Sequence, residues 1–318
     1  MITTITLNPA IDKTMIIDNF QAGKVNRELS LRIDAAGKGI NVSKVIQKLG
    51  GKSQAMGILA GNTGEFIKNE LDRMKIEYDF MMIEGQTRTN TKIVDRENNL
   101  VTDINENGPW VSHEDLKKFE KNIMDGLSKG SIAVFSGSVP RNVDKKIYTR
   151  LINGAKAKGA KTILDADGEL LIEGLKAGPY LVKPNIHELE KIFSIKIEST
   201  EEIIRYGKKI LEYGVDYVVV SRGEEGSVLI SNNEIAIVKG IKVEAKSTVG
   251  AGDSLVAAIS LSISRGYTLE DTIKLAVATS IASVMTDGTQ SGSMDTINEL
   301  IEKVEFKLVD RGMIKDEN

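Results

Sequence analysis

The sequence predicts an α/β fold: a doubly wound, mostly parallel sheet that carries a small second β-sheet as a lid. From about residue 130, short β-branched runs alternate with longer helical patterns, which is typical of βαβ units. The predicted strands of this region are Ile132–Phe135, Thr162–Leu164, Tyr180–Val182 and Tyr217–Val220. Residues 13–35 and 87–105 instead read as alternating strand segments with no helix between them, and we expect them to form the lid.

Length and pattern set the expected boundaries. At 318 residues the chain is long for one domain, but open α/β sheets often reach this size as a single unit. We therefore expect one domain over residues 1–310, with the lid segments inserted in it, and a flexible tail at 311–318. A lid often exposes an apolar face that pairs with another copy, so we also expect a homodimer formed through the lid.

Composition restricts the chemistry. The chain has no cysteine and two histidines, which excludes thiol catalysis, cysteine-rich zinc sites and a disulfide framework. A net charge of -3 provides no overall field for nucleic acid, so an anionic ligand must meet locally placed cations. Because no basic leader is present and no apolar run approaches the roughly 18 residues that span a bilayer, we expect a cytoplasmic protein with no membrane partner.

Each predicted strand after residue 130 ends in a polar cluster. These clusters begin at Ser136, Asp165, Lys183 and Ser221. Turn formation explains any single cluster about as well as a ligand site does. Ligands of doubly wound sheets bind outside the carboxyl ends of the strands, so a succession of such clusters that includes cations favours a site there.

The segment Thr248–Asp253 reads Thr-Val-Gly-Ala-Gly-Asp and precedes the apolar helical run Ser254–Ile263. A Gly-Ala-Gly turn that opens a helix exposes backbone N–H groups at the positive end of the helix dipole and can hold an anion. Asp253, in the first helical turn, could accept the proton of an attacking hydroxyl in phosphoryl transfer. An isolated motif of this kind is more often an ordinary glycine turn with a charge at the helix start.

A second glycine cluster covers residues 36–43, where the sequence reads Ala-Gly-Lys-Gly-Ile-Asn-Val-Ser. Its glycines let the backbone approach a ligand, Lys38 supplies charge, and Asn41 offers a donor and an acceptor for sugar hydroxyls. The cluster is not a Walker A loop: the Gly-Lys-Ser at residues 51–53 has Ile46 where the first glycine is required. No Gly-x-Gly-x-x-Gly follows a strand, so the Rossmann fingerprint is also absent.

Together the two glycine clusters, at residues 36–41 and 248–253, resemble the two signatures of the ribokinase-like (PfkB) carbohydrate kinases. The resemblance covers about residues 2–300 and includes four further segments: Leu7–Asp12, Thr87–Asn90, Ser136–Pro140 and Lys183–Glu188. Within the family, the opening segment, Val25–Arg27 and the Gly-Lys-Gly-Ile-Asn form are most similar to the 1-phosphofructokinases. The tagatose-6-phosphate kinases are the alternative.

The resemblance implies ATP-dependent phosphorylation of a ketohexose phosphate, most closely of fructose 1-phosphate to fructose 1,6-bisphosphate. It implies ATP and Mg²⁺ as cofactors and is compatible with a monovalent cation. The implied catalytic groups are the general base Asp253 and an anion hole formed by the amides of Gly250, Ala251, Gly252 and Asp253. A nucleoside or vitamin kinase of the same fold is disfavoured, because those substrates lack the phosphate that Lys38 and Arg88 would meet.

The resemblance also assigns binding residues. The substrate-binding residues would be Asp12, Gly37 and Asn41 at the sugar hydroxyls, Lys38, Arg88 and Arg27 at the existing phosphate, and Ser136. The nucleotide-binding residues would be Lys183, Asn185, Ser221, Gly223, Gly226, Thr248 and Ser283. Glu188, which forms an Asn-x-x-Glu motif with Asn185, would act on Mg²⁺ through water.

Simpler roles stay open for some of these residues. Arg27 and Arg88 could be solvated surface charges, the usual environment of arginine. Ser283 could be a small residue that packs one helix on another. A non-enzymatic alternative is a sugar-phosphate sensor that kept the site and lost the chemistry, although a sensor has no need of the base Asp253.

Overall fold

The computed structural model describes residues 1–288 and 290–309, so the tail predicted at 311–318 lies outside the described residues. The strands are β1 (Ile2–Thr6), β2 (Ala10–Ile17), β3 (Ser30–Ala36), β4 (Ser53–Ala60), β5 (Glu77–Ile83), β6 (Arg88–Asp95), β7 (Leu100–Asn105), β8 (Ile132–Ser136), β9 (Lys161–Asp165), β10 (Leu181–Val182), β11 (Tyr217–Ser221), β12 (Gly226–Ser231), β13 (Ile235–Lys239) and β14 (Phe306–Val309). The helices are α1 (Lys38–Lys48), α2 (Gly61–Arg73), α3 (His113–Gly126), α4 (Ile147–Ala157), α5 (Gly168–Leu175), α6 (Ile186–Phe193), α7 (Thr200–Leu211), α8 (Ala251–Arg265), α9 (Leu269–Val284) and α10 (Met294–Ile301).

The main sheet has the strand order β14-β13-β12-β11-β10-β9-β8-β1-β4-β5. Neighbours from β11 to β5 pair in parallel, and β11 to β14 pair antiparallel. The predicted strands are confirmed as β8, β9, β10 and β11, and the sheet is mostly parallel, as expected. Its antiparallel extension, β12 to β14, was not predicted.

Helices cover both faces of the main sheet. Buried side chains of α3 to α7, such as Phe119 and Leu151, pack on one face, and those of α1 and α8 to α10, such as Val42 and Val256, pack on the other. The chain runs from β1 to β4 and β5 on one side and later fills β8 to β11 on the other, so the winding reverses between β1 and β8. Ligands of open α/β sheets bind beside such a reversal.

The smaller sheet has the order β3-β2-β6-β7. Its strands come from the segments predicted to form the lid, although β2 begins at Ala10, before the predicted start at residue 13. Buried Ile11 and Ala35 join a core cluster with residues of α1, β4 and α2, which fixes the base of this sheet on the main domain. We call the smaller sheet the lid sheet.

The two faces of the lid sheet differ in polarity because side chains alternate along each strand. Asp12 pairs in register with Asp34 of β3 and Asn90 of β6, so these side chains share one face, the polar lid face. The opposite face carries exposed hydrophobic residues, and we call these the apolar lid face: Leu31, Ile33, Leu100 and Ile104, between 44% and 61% exposed.

Several helices begin at side-chain caps. Ser112, Ser199 and Thr268 each accept a hydrogen bond from the backbone N–H three residues later, at the starts of α3, α7 and α9. Among the described residues, no helix has both the length and the apolarity needed to cross a membrane.

Candidate active site

The turn before α8 presents backbone N–H groups that suit an anion, and we call it the anion-binding turn. Gly250 adopts a left-handed conformation with φ +86°, which glycine tolerates, and it forms the N-cap of α8. No side chain caps this end of the helix, so the backbone N–H groups of Ala251, Gly252 and Asp253 have no side-chain acceptor. These free donors and the positive end of the dipole suit a phosphate group.

Asp253 lies buried in the first turn of α8, and Asn41 of α1 fixes its carboxylate. Asn41 Nδ2 donates to Asp253 Oδ2 at 2.8 Å, and this bond joins α1 to α8 through two residues that are 212 positions apart in the sequence. Burial raises the pKa of Asp253 to about 6, and the negative charge of Asp165 adds to the rise. A carboxylate with this pKa is ionised at neutral pH and is a stronger base than an ordinary aspartate.

Asp165, at the end of β9, lies between two lysines. Its Oδ1 is 3.1 Å from Lys38 Nζ and 3.4 Å from Lys183 Nζ. Burial alone would raise the pKa of Asp165, but Lys183 and Lys38 hold it below its ordinary value. The charge of Asp165 in turn raises the pKa of Lys38. A Cβ on Gly252 would lie 3.0 Å from Lys183 Nζ, so this cluster sits directly beside the anion-binding turn.

Asn185 and Glu188 form a capping box at the start of α6. Asn185 Oδ1 accepts from the Glu188 N–H at 2.8 Å, and Glu188 Oε2 accepts from the Asn185 N–H at 2.9 Å. Burial raises the pKa of Glu188, while Asn185, Lys183 and Lys38 counteract the rise. The Asn-x-x-Glu motif therefore has a structural role that orients Glu188 near the lysine cluster.

A second polar group lies where the lid sheet meets the main domain. Asn90 Nδ2 donates to Asp12 Oδ1 at 3.0 Å, and Arg88 Nε donates to the backbone oxygen of Asn8 at 3.2 Å. Burial raises the pKa of Asp12 and lowers the pKa of Arg88. This group combines carboxylate, amide and guanidinium, the mixture that polyol and phosphate recognition needs.

Lys38 and Arg88 have different partners, although the sequence assigns both to one phosphate. Lys38 interacts with Asp165, Asp253 and Glu188, beside the anion-binding turn. The charge that acts on Arg88 is that of Asp12, on the lid sheet. The two cations thus have separate carboxylate partners, and their shared contact with one phosphate stays a prediction.

The glycines of residues 37–39 bring α1 against the strand ends. Gly37 has φ +125° and caps α1, and a Cβ on Gly39 would overlap Thr6 Oγ1 and lie 3.2 Å from Ser136 Oγ. The Thr6 and Ser136 hydroxyls are buried without a hydrogen-bond partner. Buried groups without partners are costly, so these two hydroxyls mark a polar spot beside Gly39, and the predicted substrate contact of Ser136 stays a prediction.

The remaining predicted residues divide into those near the strand ends or the anion-binding turn and those whose contacts lie elsewhere. Ser221 forms a parallel bridge with Asn185, Gly223 and Gly226 bound the turn between β11 and β12, and exposed Thr248 precedes the anion-binding turn. Ser283 is buried, and its hydroxyl donates to Ser280 O within α9. Arg27 is exposed in the β2–β3 loop. The contacts of Ser283 and Arg27 do not bring them to the site, and their ligand roles stay predictions.

Asp165 and Asn90 were not assigned to the site from the sequence. Asp165 ends a buried strand, and the sequence identified it only as a polar residue at a strand end. Its partner Lys38 lies 127 positions away along the chain, so local patterns do not reveal the pairing. Asn90 closes the Thr87–Asn90 segment and lies in register with Asp12. To recognise Asn90 as a site residue, one would need to know how the strands of the lid sheet pair. Periodicity does not determine that pairing.

The arrangement has known counterparts. The family of pfkB carbohydrate kinases matches residues 5–297. The chain belongs to the PfkB family of carbohydrate kinases. It is therefore a phosphotransferase with an alcohol group as acceptor, and the family implies ATP as the donor.

Relatives of this PfkB chain act on phosphorylated sugars. A 1-phosphofructokinase of Borreliella burgdorferi is 38% identical over 90% of this chain and 92% of its own. A tagatose-6-phosphate kinase of Staphylococcus epidermidis is 30% identical over 96% of this chain and 99% of its own. These relatives support a sugar-phosphate kinase.

Solved structures confirm the ribokinase-like fold. Escherichia coli phosphofructokinase-2 in complex with potassium superposes with a TM-score of 0.90 at 28% identity, over 95% of this chain and 98% of its own. The same enzyme is also known as a tetrameric inhibited form, with a TM-score of 0.88, 28% identity and the same coverage of both chains.

Proposed function

We propose that this PfkB kinase transfers the γ-phosphoryl group of ATP to a hydroxyl of fructose 1-phosphate and forms fructose 1,6-bisphosphate. The observation that carries the proposal is the buried Asp253 carboxylate, which Asn41 holds in the first turn of α8 beside free backbone donors. The choice of fructose 1-phosphate follows the 38% identical 1-phosphofructokinase.

In the proposed reaction, Asp253 takes the proton of the acceptor hydroxyl while the oxygen of that hydroxyl bonds to the γ-phosphorus of ATP. The bond between that phosphorus and the bridging oxygen breaks, and ADP leaves. The N–H groups of Gly250 to Asp253 form the anion hole for the transferring group, and Lys38 and Lys183 add positive charge beside it. Asp165 holds both lysines in place.

Carboxylates near the lysine cluster fit Mg²⁺ that arrives with ATP. Oδ2 of Asp165 is buried without a hydrogen-bond partner, and Glu188 lies close enough to interact with both lysines. Mg²⁺ sites of this kind combine one or two carboxylates with substrate phosphates and water. When bound, the ion would neutralise charge on the phosphate oxygens.

A tagatose-6-phosphate kinase is the second candidate, which the 30% identical Staphylococcus epidermidis relative favours. The initial rate of ADP release with ATP and Mg²⁺ separates the two. We expect fructose 1-phosphate to be preferred over tagatose 6-phosphate, fructose 6-phosphate and fructose. A preference for a 6-phosphate would keep the mechanism and change the substrate.

Arg88→Ala is expected to raise KM for the phosphorylated sugar by about tenfold to a hundredfold, the effect of losing a charged hydrogen bond. Because Arg88 would bind ground state and transition state alike, kcat should change less than KM. Steady-state kinetics at varied sugar phosphate measure both constants. Arg96→Ala is the matched control, since Arg96 pairs with Asp18 at the far end of β6. An unchanged KM in Arg88→Ala would remove Arg88 from phosphate binding.

We further propose that a second copy of this chain covers the apolar lid face. Leu31 and Ile33 of one edge strand and Leu100 and Ile104 of the other lie exposed on the same face of the lid sheet. Exposed apolar patches of this kind mark association sites. The arrangement supports a homodimer formed through the lid sheet.

Leu31→Glu combined with Ile33→Glu should convert the dimer to a monomer, because two charges would have to be buried at the interface. Light scattering after size-exclusion chromatography gives the mass. Met294→Glu, at an exposed methionine of α10, is the control and should keep the wild-type mass. A wild-type monomer, or a dimer that survives both lid substitutions, would contradict the interface.

A further inference from the structure

Arg32 connects the lid sheet to the main domain. Its Nε donates to Asp34 Oδ2 at 2.7 Å on the polar lid face. Its Nη1 donates to the backbone oxygen of Asp287 at 3.2 Å, in the segment that follows α9. One guanidinium thus binds a lid carboxylate and a main-domain carbonyl at once, which the single ammonium of lysine does less well.

Gly288 makes room for this contact. It has φ +65°, a conformation that glycine adopts readily, and a Cβ at this position would overlap the Arg32 guanidinium. The side chain of Arg32 is 30% exposed, so the contact is partly shielded from water. The absence of a side chain at Gly288 leaves the space that the guanidinium occupies.

The end of α9, three residues before Asp287, is bonded to the segment that leads into the anion-binding turn. Val284 O, at the end of α9, accepts from the N–H groups of Lys246 at 2.9 Å and Ser247 at 3.2 Å. Ser247 and Thr248 directly precede the turn at Val249 and Gly250. At the other end, Asp34 lies in register with Asp12 on the sugar side. A series of contacts through Arg32 therefore connects the lid strand that faces Asp12 with the segment that leads into the anion-binding turn.

We infer that Arg32 is a positioning residue that latches the lid sheet over the site and keeps water from the transferring phosphoryl group. Water competes with the sugar hydroxyl as an acceptor, so a loosened lid would hydrolyse ATP without phosphorylating sugar. The inference rests on the proposed function. It concerns the coupling of ATP use to sugar phosphorylation, a property that a purely structural contact would not change.

Arg32→Ala tests the latch by two readouts. Hydrogen exchange without ligand should show the amides of β3 and of residues 284–288 exchanging about tenfold faster, since a charged hydrogen bond is lost. With ATP, Mg²⁺ and sugar phosphate, ADP should exceed phosphorylated sugar, whereas the wild type should form them in equal amounts. Arg32→Lys should restore part of the coupling. Arg96→Ala, which removes an arginine bonded within the lid region, should match the wild type.

Gly288→Ala provides an independent approach from the other side of the contact. The double variant, Gly288→Ala with Arg32→Ala, should show the same ratio of ADP to phosphorylated sugar as Arg32→Ala alone, because both substitutions remove the same contact. Unchanged exchange in Arg32→Ala would overturn the latch, whatever substrate the enzyme prefers. Faster exchange with equal amounts of ADP and product would overturn the water-excluding role. If the wild type phosphorylated no sugar, the proposed function would fail, and the exchange result would still decide the latch.

Discussion

Asp253→Asn is expected to lower kcat by a factor of about 100 to 10,000, the usual contribution of a general base. Asparagine keeps the volume of Asp253 and can still accept the hydrogen bond from Asn41, but it cannot take the proton of the acceptor hydroxyl. Affinities for ATP and the sugar phosphate should stay close to those of the wild type. Coupled assays of ADP release give kcat, and calorimetry gives both affinities.

Asp167→Asn is the matched control for this substitution. Asp167 lies exposed at the N-cap of α5, two residues beyond Asp165, and its side chain makes no cap hydrogen bond. Its loss should leave kcat nearly unchanged. Turnover of Asp253→Asn at the wild-type level would remove Asp253 from proton transfer.

The raised pKa of Asp253 predicts a pH dependence of both rate and stability. The base must be ionised, so kcat/KM should fall as the pH drops through about 6. Protonated Asp253 stabilises the fold below its ordinary pKa of 3.8, and this contribution is lost as the pH rises through about 6. Asp253→Asn should therefore melt at a higher temperature than the wild type at pH 8, and the difference should shrink towards pH 4.

Asp165→Asn is expected to destabilise the fold by about 3 to 5 kcal/mol near neutral pH, the usual result of removing one partner from a buried ion pair. Asp165 and Lys183 are 1% and 7% exposed, so Lys183 would keep a buried charge without its counterion. The lowered pKa of Asp165 means that its stabilisation is present above its ordinary pKa and is lost as acid protonates it. Urea unfolding at pH 7 and at pH 3 measures the difference, which should be smaller in acid.

Asp144→Asn serves as the control, because Asp144 forms a surface pair with Arg150 and should change stability little. Asp165→Asn should also move the acid limb of the remaining activity below pH 6, since the charge of Asp165 helps to raise the pKa of Asp253. Wild-type stability of Asp165→Asn would show that the lysines do not depend on this carboxylate.

The parallel part of the fold was accessible from the sequence because buried strands leave β-branched runs such as Tyr217–Val220. The antiparallel strands β12 to β14 were not, since alternation does not reveal the direction of pairing. Strand β14 also joins the sheet edge, although it begins 67 residues after β13 ends, a distance over which local patterns carry no information.

The site was predictable where backbone conformation limits the residue type. Gly250 with its positive φ and Gly39 with its close neighbours need glycine, so the motifs around them located both helix starts. Side-chain direction was not predictable. The pairing of Lys38 with Asp165 could not be read from the sequence, and its contact with the sugar's phosphate stays a prediction.

The central claim, transfer of phosphoryl from ATP to a phosphorylated sugar, is tested most directly by ³¹P NMR of a complete reaction. The protein is incubated with ATP, Mg²⁺ and fructose 1-phosphate, and the spectrum follows every phosphorus-containing species. The account predicts ADP and fructose 1,6-bisphosphate in equal amounts, with no accumulation of inorganic phosphate. ATP that stays intact with fructose 1-phosphate and with each 6-phosphate, or that yields only ADP and inorganic phosphate, would contradict it.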